Sequence, residues 1–69
     1  MPKLFSSRQI EKVLENNGFY YVSQRGSHVK YKIHKDKSIT VIVPAGRKQI
    51  PRGTFRSILR QSHLNEEDF

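Results

Sequence analysis

Cysteine is absent from the 69-residue chain, which removes disulfide staples, thiolate-held zinc and a cysteine nucleophile together. Acidic residues are scarce: six stand against thirteen Lys and Arg, for a formal charge of +7. Glu66, Glu67 and Asp68 crowd the C-terminal end, so the body holds every base but only Glu11, Glu15 and Asp36 as acids. A metal-dependent nuclease needs clustered carboxylates or histidines, and these three acids are dispersed. His28 and His34 share a predicted strand face but lie roughly 20 Å apart at strand rise, too far to ligate one ion. No metal site is supported. No P-loop spacing or glycine-rich dinucleotide turn occurs either, so no cofactor is expected. No run approaches the ~20 apolar residues of a membrane span, and Met1–Phe5 leads at once into polar residues with no signal-peptide core. The expectation is a soluble, cytoplasmic protein with no membrane contact.

What is present is base and pattern. The excess of base asks for an anionic partner, with nucleic acid the commonest at this size and an acidic protein the alternative; both can hold. The length reads as one domain, 1–69. A chain this small buries only ~60% of the surface it exposes when unfolded, so a bound partner should add to its stability.

Ser6-Ser7-Arg8-Gln9 has capping-box spacing, Phe5 and Ile10 fit a hydrophobic staple, and Ile10, Val13 and Leu14 repeat at helical spacing. With Asn16-Asn17-Gly18 as a left-handed stop, the pattern predicts a helix over 7–17. The aromatic and β-branched run Phe19-Tyr20-Tyr21-Val22 then suits a strand that Gly26 ends. From His28 to His34 the alternation is strict, with Val29, Tyr31 and Ile33 facing inward and His28, Lys30, Lys32 and His34 outward. A polar loop, Lys35-Asp36-Lys37-Ser38, precedes a third strand from Ile39 to Val43 that Pro44 stops. After the basic loop Ala45 to Gln49, Pro51-Arg52-Gly53-Thr54 opens a second helix with Phe55, Ile58, Leu59 and Ser62 at helical spacing. Arg52, Arg56 and Arg60 form a basic ridge along it. Asn65-Glu66-Glu67-Asp68 is either a capped final turn or a solvated tail. Two amphipathic helices must cover one face of an antiparallel three-stranded meander. The result is an α+β two-layer sandwich in the order helix, three strands, helix, with the other sheet face free.

The chemistry left open is metal-free acid-base work. His28 is the best candidate, because imidazole titrates near neutral pH and this one follows the turn Arg25-Gly26-Ser27 at the mouth of a basic surface. RNA carries its own nucleophile, the 2′-hydroxyl, so one His with Lys or Arg beside it can cleave RNA without metal. An ordinary exposed strand histidine is the competing reading, as solvation is for Lys30 and Lys32. The residues alone leave these alternatives open.

Four blocks in order carry a resemblance. Gly18-Phe19 after the first helix, Arg25-Gly26-Ser27-His28 before the alternating strand, Val41-Ile42-Val43-Pro44, and the stretch from Gly53-Thr54-Phe55 to Gln61 closely resemble the HicA toxins. The resemblance spans nearly the whole chain. It implies a toxin of a type II toxin-antitoxin pair, a fold like the double-stranded RNA-binding domain, and ribosome-independent mRNA interferase activity. The family's catalytic histidine matches His28, which leaves Arg25, Lys30, Lys32, Arg47 and Lys48 as candidates for RNA phosphate binding or charge stabilisation. It also implies a HicB antitoxin that masks the His28 face, and operator DNA contacted only indirectly, mainly through that antitoxin. Two departures stand out. Many relatives have a His shortly after the third-strand Pro, where this chain has Ala45-Gly46-Arg47, favouring a one-histidine mechanism. Relatives also often end the last long helix with Gly, where this chain has His63. The alternatives are a non-catalytic double-stranded RNA-binding module, which needs no role for His28, and a basic subunit that only binds an acidic protein.

Overall fold

The computed structural model describes residues 4–35 and 37–69. Its elements run α1 (Ser7–Asn16), β1 (Tyr20–Arg25), β2 (His28–His34), β3 (Ser38–Pro44) and α2 (Arg52–Ser62), followed by a 3₁₀ turn at Glu66–Asp68. The expected element order holds.

The capping box at the start of α1 is formed in both directions. Ser6 Oγ accepts from the Gln9 amide at 3.1 Å and Gln9 Oε1 accepts from the Ser6 amide at 2.9 Å, so two otherwise unpaired N–H groups are satisfied. Ile10 and Leu14 are fully buried. Gly18 turns the chain out of the helix at φ 93°, and a Cβ there would meet Ile33 Cδ1 at 3.3 Å, so both backbone and packing favour glycine.

The sheet order is β1-β2-β3, antiparallel throughout, with β2 in the middle. Val29, Tyr31 and Ile33 of β2 and Val41 and Val43 of β3 point into one core with Ile10, Leu14, Phe19, Ile50, Phe55 and Ile58. Both helices therefore cover the same face, and the other face stays open. Four boundaries differ from the sequence expectation: α1 ends at Asn16 with Asn17 as its cap, β1 starts at Tyr20 after Phe19, and both ends of β3 move outward. Ser38 pairs with His34, which shortens the polar loop at its C-terminal end, and Pro44 pairs with His28 as the last residue of β3. Asp36 of that loop lies outside the described residues. Proline is tolerated there because β3 is an edge strand.

β1 holds a feature that alternation does not predict. Arg25 pairs with His28, Gln24 with Val29 and Ser23 with Lys30, after which the register shifts and Tyr21 pairs with Tyr31 and Tyr20 with Lys32. Val22 is the extra residue of a β-bulge. A bulge reverses the parity of everything beyond it. Without it Tyr21 would share the open face with Ser23 and Arg25; with it Tyr21 goes to the core side, 6.3 Å edge-on to Tyr31, and Tyr20 to the open face. The same reversal lets Phe19 be buried while Arg25 stays beside His28.

Ser7, buried in the first turn of α1, ties the β3–α2 loop to the helix. Its Oγ donates to the Pro44 carbonyl at 2.5 Å and accepts from the Arg47 amide at 2.9 Å, while its own amide donates to the Arg47 carbonyl at 2.9 Å. The Ala45 amide reaches the Ser27 carbonyl at 2.7 Å, pinning the loop to the β1–β2 turn as well. On the far side, Gln61 Oε1 accepts from the Ile42 amide at 2.9 Å and covers part of the β3 edge.

The C-terminal residues form the capped turn, not a solvated tail. Asp68 Oδ2 accepts from the Asn65 amide at 2.8 Å, and the Phe69 ring packs edge-on against Phe55 at 5.1 Å. The Arg52–Glu66 ion pair at 3.3 Å is solvent-exposed and contributes less than about 1 kcal/mol. The aromatic contact, worth about 0.5–1.5 kcal/mol beyond area burial, is the stronger tie.

The stop of α2 is made by His63 itself, which adopts the left-handed conformation at φ 62° while its amide donates to the Leu59 carbonyl at 3.0 Å. That conformation costs a non-glycine residue roughly 1–2 kcal/mol, and glycine recovers most of it less its larger unfolded-state entropy. His63→Gly is expected to stabilise the fold by about 0.5–1 kcal/mol, seen as a rise in the thermal midpoint. Ser7→Ala leaves the part-buried Arg47 amide without its acceptor and is expected to destabilise by about 1–3 kcal/mol in urea unfolding.

Candidate active site

The turn between β1 and β2 is two residues long, with Gly26 at φ 59° in a conformation a side chain resists, and it delivers His28 as the first residue of the central strand. Arg25 lies opposite on one side and Pro44 on the other. The imidazole is exposed on the open face, and among the described residues no side chain hydrogen-bonds it.

His28 and Ile42 stand between two shallow depressions. One, of about 390 Å³, is lined by Ser23, Gln24, Arg25 and Lys30; the other, of about 410 Å³, by Ser27, Pro44, Arg47, Thr54, Ser57 and Gln61. Cations therefore reach His28 from both flanks: Arg25 and Lys30 from the sheet, and Arg47 from the loop that Ser7 and Ser27 hold. Lys32 continues the same strand face one pleat further on, half-buried. Lys48 is exposed in the loop but lines neither depression. His34 sits at the other end of β2, its ring within 3.1 Å of Ser38 Oγ.

Thr54, Ser57 and Gln61 were not among the candidates from sequence. Their spacing puts them on one polar stripe of α2 beside the apolar stripe of Phe55, Ile58 and Ser62, which was readable; that the stripe faces His28 was not. Arg56 and Arg60 of the basic ridge line neither depression. Among the described residues, no group of three or more His, Cys, Asp or Glu side chains is placed to hold a metal ion. No helix among them is long and apolar enough to cross a membrane.

A larger hollow of about 550 Å³ lies on the other side of the β1–β2 hairpin, lined by Glu11, Tyr21, Gln24, Val29 and Tyr31 among others, with no Lys or Arg. Its electrostatics are the reverse of those at His28. Burial, then the neighbouring Glu15, raises the Glu11 carboxyl above its usual range, partly offset by Arg8. Tyr31 donates to Glu15 Oε2 at 3.2 Å. Burial first, then the charges of Glu11 and Glu15 and that hydrogen bond, push its phenol up to about 12. This hollow is the largest of the three but its lining offers no cation to an anion. The two depressions at His28 carry Arg25 and Lys30 in one lining and Arg47 in the other.

A model of the family described as the HicA toxin of bacterial toxin-antitoxin systems matches residues 7–64. The chain belongs to the HicA toxin family. No curated protein matches it. As a HicA toxin it is one half of a toxin-antitoxin pair, in a family whose members are generally RNases. The matched span runs from Ser7, which holds the Arg47 loop, to the residue after His63, and so takes in both helices and the whole sheet.

The raised Tyr31 phenol has a checkable consequence. The folded state favours the neutral form, so the stability this group contributes is complete below its unperturbed value of 10 and is lost as pH rises toward about 12. Ultraviolet phenolate titration is expected to show one tyrosine ionising near 12, and Tyr31→Phe to remove that step.

Proposed function

We propose that this HicA toxin is a metal-independent, ribosome-independent mRNA interferase in which His28 is the single catalytic acid or base. The observation that carries the reading is the setting of His28: an exposed imidazole on the central strand, between two depressions that hold Arg25 and Lys30 on one side and Arg47 on the other. The substrate's 2′-hydroxyl oxygen attacks the adjacent phosphorus and the bond to the 5′-oxygen breaks. His28 takes the proton from the attacking hydroxyl or delivers one to the leaving oxygen. The flanking cations offset the charge that builds on the phosphorane oxygens. Arg25, Lys30, Lys32, Arg47 and Lys48 are the residues proposed to bind phosphate; Lys48, lining neither depression, would meet it away from the cut.

A HicB-type antitoxin covering the His28 face is the proposed inhibitor, and the setting is the cytoplasm, with operator DNA met only through the complex. Burying Lys30, Arg25 and Arg47 unpaired would be costly, so the covering surface must be acidic or rich in acceptors.

The test is cleavage of a defined RNA in EDTA by the purified chain and by His28→Ala. The variant is expected to cut about 10²–10⁴-fold more slowly while keeping its RNA affinity. Equal cleavage by the two would remove His28 from the chemistry. A chain that binds RNA with a steep salt dependence but never cuts would be a non-catalytic double-stranded RNA-binding module, the reading that the helix, three-strand, helix order supports by itself.

A further inference from the structure

We propose that Tyr20 is a base-stacking residue for single-stranded RNA, placed beside the phosphate-binding lysines of the open sheet face. The inference rests on the interferase reading above and names a residue that the reading does not use. The bulge at Val22 turns Tyr20 onto the open face directly opposite Lys32, and its side chain is left 47% exposed. Phe19 and Tyr31 are buried, and Tyr21, though 55% exposed, lies on the core side of the sheet against Tyr31, so Tyr20 is the ring of β1 that faces the open side.

Along this face the paired rows read Arg25, His28 and Pro44; then Ser23, Lys30 and Ile42; then Tyr20, Lys32 and Thr40. Tyr20 thus lies two rows from His28, roughly 13 Å along the strands. The three strands contain no Asp or Glu, so an anionic strand meets base at each row and one exposed ring. That combination of a basic track with an aromatic platform suits a single strand, whose bases are free to splay and stack. In a duplex the bases are already stacked on one another, and a ring on a flat sheet face has nothing to hold.

The probe is a fluorescently labelled, 2′-O-methylated single-stranded RNA of about 12 nucleotides, which cannot supply the nucleophile and so reports binding alone. Tyr20→Ala is expected to weaken binding about 5- to 100-fold, and Tyr20→Leu, which keeps apolar bulk without a π face, to weaken it similarly. Tyr20→Phe and the core-side control Tyr21→Phe should stay within about twofold of wild type, because a π face is enough for stacking. The salt slope should be unchanged in Tyr20→Ala but shallower by about 0.7 in Lys32→Ala. Binding by Tyr20→Ala equal to wild type overturns the proposal and leaves the interferase reading intact, provided wild type still cuts unmodified RNA. Equal loss of affinity for a duplex of the same sequence also overturns it. So does a Tyr20→Ala chain that keeps RNA but loses its antitoxin, which would assign the ring to a protein interface. A wild-type chain that neither binds nor cuts any RNA overturns the proposal and the interferase reading together.

Discussion

A three-stranded sheet with one face packed against helices commits every second residue of its central strand to the core, and that parity governs the rest of the molecule. Val29, Tyr31 and Ile33 are buried, so His28, Lys30, Lys32 and His34 must face the other way. The two helices supply just enough apolar surface, through Ile10, Leu14, Phe55 and Ile58, to cover one side. A small chain has no third layer with which to cover the other. The open, basic face is therefore a consequence of where the core lies, and its chemistry is what remains once hydrophobic burial has been satisfied.

Parity and the hairpin turn give His28 the cations of one flank, Arg25 and Lys30. The second flank comes from the β3–α2 loop, which would wander without anchors because it lacks regular structure of its own. Ser7 supplies three of its hydrogen bonds and Ser27 a fourth. Arg47 begins at an atom that these bonds hold, so its side chain starts from a defined place beside the imidazole. Fixing the backbone in this way lowers the conformational entropy that the Arg47 side chain has left to lose in any contact. The Gln61 amide does comparable service at the sheet edge, closing a backbone donor that would otherwise invite another strand.

Charge is unevenly distributed over this small surface. On α1, Glu11 and Glu15 lie by the Tyr31 phenol and alternate with Arg8 and Lys12, whereas Arg25, Lys30 and Arg47 line the depressions at His28 with no carboxylate among the lining residues.

Much of this was legible in the sequence because it is local. Ser6 and Gln9 announced the start of α1, Gly18 its end, and the alternation from His28 to His34 separated core from surface; four blocks together pointed to the family. His28, Arg25 and Lys30 could be grouped because a hairpin turn joins them. The tertiary structure alone decided that Val22 bulges and so exchanges the faces of Tyr20 and Tyr21, and that Ser7 is a loop anchor besides a first-turn residue. It also decided that Arg47, Thr54, Ser57 and Gln61 line the depression beside His28, and that His63 takes the left-handed cap where glycine is the easier choice. The periodicity of a segment reports which side of it is apolar, since each side chain follows its own backbone. It does not report which distant segment that side will meet, because those contacts join residues some twenty to forty positions apart and exist only after the chain has closed around its core.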